Sequence, residues 1–125
     1  MATQPQFAAA PRIERALVTT AEAALDGSGN VVSVFTAGSQ GSYISNIVIK
    51  AIQNTTAGMI RIFTGQSGSY RLLEEVSVTA ITKSATVKAF SSTLNLNLPI
   101  PSGTSIGVST EKTESFVITV QGGNY

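Results

Sequence analysis

The chain offers few side chains for chemistry: it has seven carboxylates but neither a histidine nor a cysteine. Without imidazole or thiol groups, Ser-His-Asp and Cys-His nucleophile systems are excluded, as are imidazole and thiolate metal sites. A retaining glycosidase needs only two carboxylates about 5 Å apart, and different strands could supply them. The acidic residues are Glu14, Glu22, Asp26, Glu74, Glu75, Glu111 and Glu114.

The positions of these carboxylates argue against catalysis. Asp26 lies in a Gly-rich stretch, and Glu111 and Glu114 share one predicted turn. Glu74 and Glu75 are adjacent on a predicted strand, so they point to opposite faces and cannot cooperate as an acid/base pair. Because acidic side chains in turns are mostly solvated, we expect no catalytic residue and no enzymatic activity.

The Gly-rich stretches do not indicate a cofactor or a metal. Residues 26–30 (DGSGN) have a faint likeness to a calcium loop, but they lack its number of ligands and its closing Glu. Residues 65–68 (GQSG) lack the lysine of a phosphate-binding loop. We therefore expect no cofactor, no metal and no small-molecule substrate.

Sugar binding is the one ligand class that the aromatic residues leave open. Tyr43, Tyr70 and Tyr125 fall at predicted strand ends or at the end of the sequence, where sandwich lectins place rings that stack on sugars. With no Trp and no cluster of aromatics, tyrosines at the ends of strands are more often packed at a sheet edge with a wet hydroxyl.

The charge pattern does not favour nucleic acid or membranes. The 8 basic and 7 acidic residues are scattered and leave a net charge of +1, so the basic patch typical of nucleic-acid-binding proteins is missing. The first residues lack the apolar core of a signal peptide, and no apolar run reaches membrane-spanning length. We expect synthesis in the cytosol and neither a nucleic-acid nor a membrane partner.

A low content of charge is the most unusual feature of the composition. Charged residues make up 12% of the chain, about half of the usual value of roughly 25%. A surface of hydroxyls and amides with few charges suits contact with another protein better than it suits a freely soluble monomer. The alternative is that all-β domains are simply rich in Thr, Ser and Val; composition alone favours neither interpretation.

The central part of the chain has the pattern of consecutive strands. Residues 43–52, 59–64 and 70–78 are rich in β-branched residues, and the polar and Gly-containing stretches 54–58 and 65–69 separate them. This pattern predicts an antiparallel meander of three strands. Ile60 and Ile62 are expected on its core face and Arg61 on the outside, and the adjacent leucines 72 and 73 indicate a bulge or a strand covered on both faces.

Further strands are predicted on both sides of this meander. They cover residues 15–20, 31–36, 104–110 and 115–121, and residues 85–98 hold either a broken strand pair or one long bent strand. Along the chain the predicted inward residues alternate with outward ones: Leu94, Leu96 and Leu98, then Ile106 and Val108, then Phe116, Ile118 and Val120.

About eight strands at this spacing predict an all-β fold, a single-domain antiparallel β-sandwich of the jelly-roll type. An immunoglobulin-like sandwich is the main alternative, although the Cys-Trp-Cys core of true immunoglobulin domains is absent.

The N-terminal residues differ from the rest. Residues 1–13 contain Pro5 and Pro11 and show no periodicity, so we expect an extended arm at 1–13 and a β-sandwich domain at 14–125. The arm is either a frayed terminus or an assembly arm. In the second case Phe7, its one large apolar side chain, is the expected anchor, and Pro11, Arg12 and Arg15 are further candidates for binding a partner.

Four segments together carry a resemblance over nearly the whole chain: VVSVFTAG, GSYISNIVIKAIQNTTAGMIRIFTG, YRLLEEVSVTAITKSATVKAF and LNLPIPSGTSIGVSTEKTESFVITVQGGNY. In this order, after an arm rich in Ala, Pro and Gln, they resemble small virion structural proteins of tailed bacteriophages. Within that group the chain is most similar to capsid decoration (cement) proteins.

The resemblance implies a function that the residues by themselves do not indicate. Decoration proteins often have a jelly-roll body, often form homotrimers and sit on the outer surface of the phage head. It therefore implies a virion protein that binds the major capsid protein where coat subunits meet and stabilises the contacts between them. The alternative from the same resemblance is a tail, baseplate or head-fibre module that binds a receptor or glycan.

Overall fold

The computed structural model describes residues 10–66 and 69–125, and within these ranges the chain is entirely β-structure connected by turns. The strands are β1 Ala10–Val18, β2 Val32–Thr36, β3 Ser42–Ala51, β4 Gly58–Gly65, β5 Arg71–Val78, β6 Ser91–Ile100, β7 Ser105–Thr110 and β8 Phe116–Asn124.

The strands form two four-stranded antiparallel sheets. Sheet A has the order β1-β8-β3-β6, and sheet B has the order β2-β7-β4-β5. The pairs are nested, because β1 pairs with β8, β2 with β7, β3 with β6 and β4 with β5. This nested order of eight strands in two sheets is that of a jelly roll. The predicted all-β sandwich of the jelly-roll type is thus confirmed, and the immunoglobulin-like alternative is excluded.

The two sheets bury an aliphatic core between them. Alternation along each strand sends every second side chain inward, and most of the buried inward positions are isoleucine, valine or phenylalanine. Residues that are fully buried there include Ile44, Ile47 and Ile49 of β3, Ile60 and Ile62 of β4, Ile106 and Val108 of β7, and Phe116, Ile118 and Val120 of β8. The predicted core faces of β4, β7 and β8 are confirmed.

The meander predicted for the centre of the chain is only half right. β4 and β5 do pair as a hairpin, but β3 belongs to sheet A and pairs with β6 and β8. Residues 52–57 therefore cross from one sheet to the other. A polar turn reverses the chain equally well toward the adjacent strand or toward the facing sheet, so its local chemistry does not decide between them.

The structure also decides the predictions made for residues 85–98 and for leucines 72 and 73. Residues 85–98 do not form a strand pair: residues 79–90 are a connection, and β6 is one strand in which Leu94, Leu96 and Leu98 pack against the core. The expected bulge near leucines 72 and 73 is confirmed, since Ile62 lies opposite Glu74 while Phe63 lies opposite Leu72, which leaves Leu73 unpaired.

Each edge strand carries a feature that interrupts regular pairing. β1 contains Pro11 and β6 contains Pro99. β2 has an irregularity that leaves Val34 without a partner in β7, and β5 has the bulge at Leu73. Prolines and bulges at edges prevent further strands from adding to a sheet. The sandwich is therefore poorly suited to binding by strand addition.

The first strand begins inside the expected arm. Ala10 lies opposite Asn124 and Ile13 lies opposite Gln121, so residues 10–13 are part of the edge of sheet A. Pro11 is compatible with this position because an edge strand tolerates a residue without an N–H group. Residues 1–9, with Phe7, lie outside the described residues.

Candidate protein-binding surface

The candidate binding residues of β1 separate onto two faces of the strand. Arg12 and Glu14 alternate with Ile13 and Arg15, and the even-numbered side chains lead inward to the buried Val18. Arg15 and Pro11 are exposed. The structure therefore brings Arg15 and Pro11 to the surface and turns Arg12 toward the end of the core, while Phe7 lies outside the described residues.

Arg12 joins the two sheets. Its guanidinium donates to the carbonyl oxygen of Thr36 at 2.8 Å, to Oδ1 of Asn124 at 3.0 Å and to Oε2 of Glu14 at 3.0 and 3.1 Å. It also lies over the ring of Phe35 in β2. An arginine with this many partners within its own chain is a structural residue, and the sequence signal for it was the alternation of Arg12, Glu14, Ala16 and Val18.

The outward side chains of sheet A form an uncovered surface, which we call the open face. Ile13 and Leu17 of β1 are its most exposed apolar residues, at 65% and 53%. Thr119 lies beside Arg15 and Val48, and Val117 lies beside Leu17 and Lys50. The face is completed by Gln121 of β8, Asn46 of β3, and Ser91, Thr93 and Asn95 of β6.

The charges of the open face have one sign. Arg15 and Lys50 are its charged side chains among the described residues, and both are cationic. Lys50 donates from Nζ to the carbonyl oxygen of Ala89 at 2.9 Å, whereas Arg15 has no ion-pair partner in the described part of the chain. The face thus combines exposed apolar side chains with an unpaired positive charge.

The outward side of sheet B, which we call the covered face, is closed by the chain itself over β7 and the middle of β4, whereas β5 stays largely exposed. The segment before β2 runs along β7, where Glu22 donates its backbone N–H to the carbonyl of Thr110 at 2.7 Å. A methyl group added to Gly107 of β7 would lie 2.5 Å from Cγ1 of Val31 and 3.0 Å from the ring of Tyr70. Phe63, which lies opposite Gly107, is fully buried outside the main core.

Arg61 faces away from the core, as predicted, yet it is 8% exposed because the covered face is closed. Its nearest carboxylate oxygens belong to Glu75 and Glu111, at 4.0 and 3.9 Å. Nε and Nη1 of Arg61 have no hydrogen-bond partner among the described residues. These distances are too long for direct hydrogen bonds, so Arg61 is held by charge rather than by a bidentate pair.

Two of the turn carboxylates have structural roles. Glu114 was expected to be solvated, but it is buried, and its Oε2 accepts from the backbone N–H and the hydroxyl of Thr56, both at 2.8 Å. Glu22 accepts from the backbone N–H groups of Asn30 and Ala24 at 2.8 and 3.0 Å. These bonds stabilise the ionised carboxylate and lower the pKa of Glu22.

Asp26 behaves as the turn residue that its sequence context predicts. It is exposed and accepts from the hydroxyl and the backbone N–H of Ser28, at 2.6 and 3.0 Å. These bonds lower the pKa of Asp26. In residues 10–66 and 69–125, no group of three or more His, Cys, Asp or Glu side chains comes close enough to hold a metal ion.

The three tyrosines lie apart in the fold and differ in exposure. Tyr70 is buried and packs against the covered face over Gly107. Tyr43 donates its hydroxyl to Oδ1 of Asn97 at 2.6 Å, and Tyr125 is exposed. Asn97, whose φ of 49° is in the left-handed region, lies in β6 at an irregular point of its pairing with β3. Tyr125 is the one ring of the three with a largely free surface.

Comparison with known proteins adds no family: no protein-family model matches the chain, and no curated protein matches it. Among the described residues no helix is long and apolar enough to cross a membrane.

Proposed function

We propose that this protein is a virion structural protein, a capsid decoration protein that binds the outer surface of a tailed-phage head and stabilises the contacts between coat subunits. The observation that carries the proposal is the open face, a surface with exposed apolar and cationic side chains on a sandwich whose other sheet is covered over β7 and the middle of β4. The jelly-roll order of the strands and the resemblance of the sequence to decoration proteins support it.

The structure supports a binding role more than a chemical one. The carboxylates described above are engaged with backbone groups, hydroxyls or arginines, and Ile13, the most exposed of the large apolar side chains at 65%, lies with Leu17 on the open face. A flat face of this kind gains affinity from burial and from repetition on a lattice. The partner we propose is the major capsid protein, with a homotrimer as the assembled form.

The decisive measurement is the copy number of the protein in purified virions of its source phage, relative to the major coat protein. A ratio near stoichiometric supports decoration of the head. A few copies per particle would instead support the alternative, a tail, baseplate or head-fibre module with receptor or glycan binding. Absence from the virion would overturn both, and a glycan screen comparing the protein with its Tyr125→Ala variant would then follow.

The arm hypothesis has its own test. Because β1 begins at Ala10, removing residues 1–9 leaves every described strand intact. If Phe7 anchors an arm, both this truncation and Phe7→Ala weaken attachment to capsids without lowering the thermal stability of the body. Attachment equal to that of the full chain would show that the arm is not used.

A further inference from the structure

The route by which this sandwich meets a partner is restricted by its edges. All four edge strands carry a proline or an unpaired residue, at Pro11, Val34, Leu73 and Pro99. A partner strand that reached one of these positions would meet either a missing N–H group or a broken spacing of donors and acceptors. These features favour binding through a sheet face over binding at an edge.

The open face is the more accessible of the two faces, because β7 and the middle of β4 are buried on both sides of sheet B and only β5 stays largely exposed there among these strands. The covered face has the segment before β2 packed against it, with Val31 and Tyr70 lying over Gly107. The open face has no such segment in the described part of the chain, and Ile13 and Leu17 stand out from it. Ile13 and Leu17 are each more than half exposed and lie on either side of Arg15 along β1, so a partner that covers this strand removes both from water.

The charge of the open face indicates the chemistry of its partner. Arg15 and Lys50 give it a positive sign. The carboxylates of the other side belong to sheet B and its surroundings: Glu75 lies in β5, Glu111 directly follows β7, and Glu22 and Asp26 lie in the segment before β2. Two open faces brought together would place like charges against each other. A partner surface with carboxylates beside apolar side chains would instead pair with Arg15 and bury Ile13 and Leu17.

The start of β1 lies at the border of the open face. β1, which carries Ile13, Arg15 and Leu17, begins at Ala10. Phe7 precedes Ala10 by three residues, so an extended chain carries it at most about 10 Å from the start of β1. A partner that covers this end of the open face therefore comes within reach of Phe7.

We propose that the open face, centred on Ile13, Arg15 and Leu17, is the surface that binds the coat lattice, and that the coat surface it meets carries carboxylates beside apolar side chains. The inference rests on the proposed function and adds to it the surface, its orientation and the chemistry of the partner. Sheet A faces the capsid, and the covered face of sheet B points to the solvent.

The test uses capsids of the source phage from which this protein has been removed, with binding followed by co-sedimentation. Arg15→Glu and Leu17→Ser are compared with matched controls on the other side of the molecule, Arg71→Glu and Leu25→Ser. Arg71 and Leu25 are exposed as Arg15 and Leu17 are. Thermal unfolding of all four variants confirms that each is folded.

The expected result is that Arg15→Glu and Leu17→Ser each weaken capsid binding about tenfold or more, while both controls stay within about twofold of the wild-type chain. Binding of the wild-type chain also weakens when NaCl is raised from about 50 to 500 mM, because the Arg15 contact is screened. If the two controls lose binding instead, or if none of the four variants does, the open face is not the docking surface.

Two further outcomes separate this inference from the proposed function. If the wild-type chain does not bind the capsids at all, the decoration function fails and the inference fails with it. If the wild-type chain binds but analytical ultracentrifugation shows a homo-oligomer that Arg15→Glu dissociates, the open face is an interface between copies. Decoration would then stand, and the assignment of this face to the coat lattice would be overturned.

Discussion

The guanidinium of Arg12 lies over the ring of Phe35, with its Cζ atom 4.0 Å from the ring centroid. Arg12 belongs to β1 of sheet A and Phe35 to β2 of sheet B, so this contact and the bond to the Thr36 carbonyl close one end of the sandwich. The ring is nearly fully buried, which makes the stacked cation part of the core boundary.

Replacing Arg12 with Ala should lower the free energy of unfolding by about 2 kcal/mol, because a cation–π contact and charge-assisted hydrogen bonds are lost together. The measurement is urea denaturation. Arg15→Ala, three residues along the same strand but exposed, is the matched control and should stay within about 0.5 kcal/mol of the wild-type chain. Equal losses in the two variants would contradict the structural role of Arg12.

Glu114 should contribute to stability through Thr56. Glu114→Ala removes a buried carboxylate together with its charge-assisted bonds from the N–H and the hydroxyl of Thr56 and should cost about 1–3 kcal/mol, whereas Glu114→Gln keeps one acceptor oxygen and should cost less. Glu74→Ala removes an exposed carboxylate and serves as the control. Denaturation midpoints of the three variants test this order, and a neutral Glu114→Ala would refute it.

Gly107 should not tolerate a side chain. A methyl group there would meet Val31 and Tyr70, so Gly107→Ala should destabilise the protein by about 1–3 kcal/mol through overpacking. Combining it with Val31→Ala should cost less than the sum of the two single changes, because the second change makes room. Gly58→Ala has its closest contact with the flexible Lys112 side chain, at 3.0 Å, and is the control for a general effect of glycine replacement.

Arg61 should be replaceable by an apolar residue. It is buried without a close hydrogen-bond partner among the described residues, so the cost of removing the cation from water is poorly compensated. Arg61→Met should therefore leave stability within about 1 kcal/mol of the wild-type chain or raise it, while Arg12→Met should lower it. A large loss in Arg61→Met, measured by thermal unfolding, would mean that the carboxylates of Glu75 and Glu111 hold Arg61 more strongly than their distances indicate.

Acid should loosen the segment that covers sheet B. The pKa of Glu22 in the folded chain is lowered below its usual 4.5 by the N–H groups of Asn30 and Ala24, so its contribution to stability is present above that value. The contribution is lost as the pH falls through the lowered pKa. Glu22→Gln should therefore be less stable than the wild-type chain at pH 7, and the difference should shrink as the pH falls below 4.5. A difference in melting temperature that does not shrink with acid would contradict this.

What the sequence predicts well in this protein is local. The alternation at Ile106 and Val108, and at Phe116, Ile118 and Val120, depends only on the period of a strand, and the adjacent leucines 72 and 73 disturb that period where the bulge lies. The partner of β3 could not be predicted in this way, because β6 and β8 lie some 40 to 80 residues away in the sequence and leave no local trace.

The candidate surface was predictable only in part. Arg15, a candidate for binding a partner, lies exposed, but Arg12 was grouped with it because the two prolines hid the start of β1. Extending the alternation of Ala16 and Val18 backward would have placed Arg12 inward and Ile13 outward. The burial of Arg61 and Glu114 depends on segments distant in sequence, the cover of sheet B and Thr56, and no spacing of residues indicates it.

The position of β8 has a consequence for how the chain is made. β8 lies between β1 and β3 in sheet A, yet it is translated after both of them. Until β8 emerges from the ribosome, β1 has no partner strand. Among the described strands, β4 and β5 of sheet B are the one pair that is consecutive in the chain and hydrogen-bonded. Closing the most distant pair last makes folding slow and leaves unpaired strands exposed meanwhile. Sheet A is therefore completed only after translation has passed Asn124.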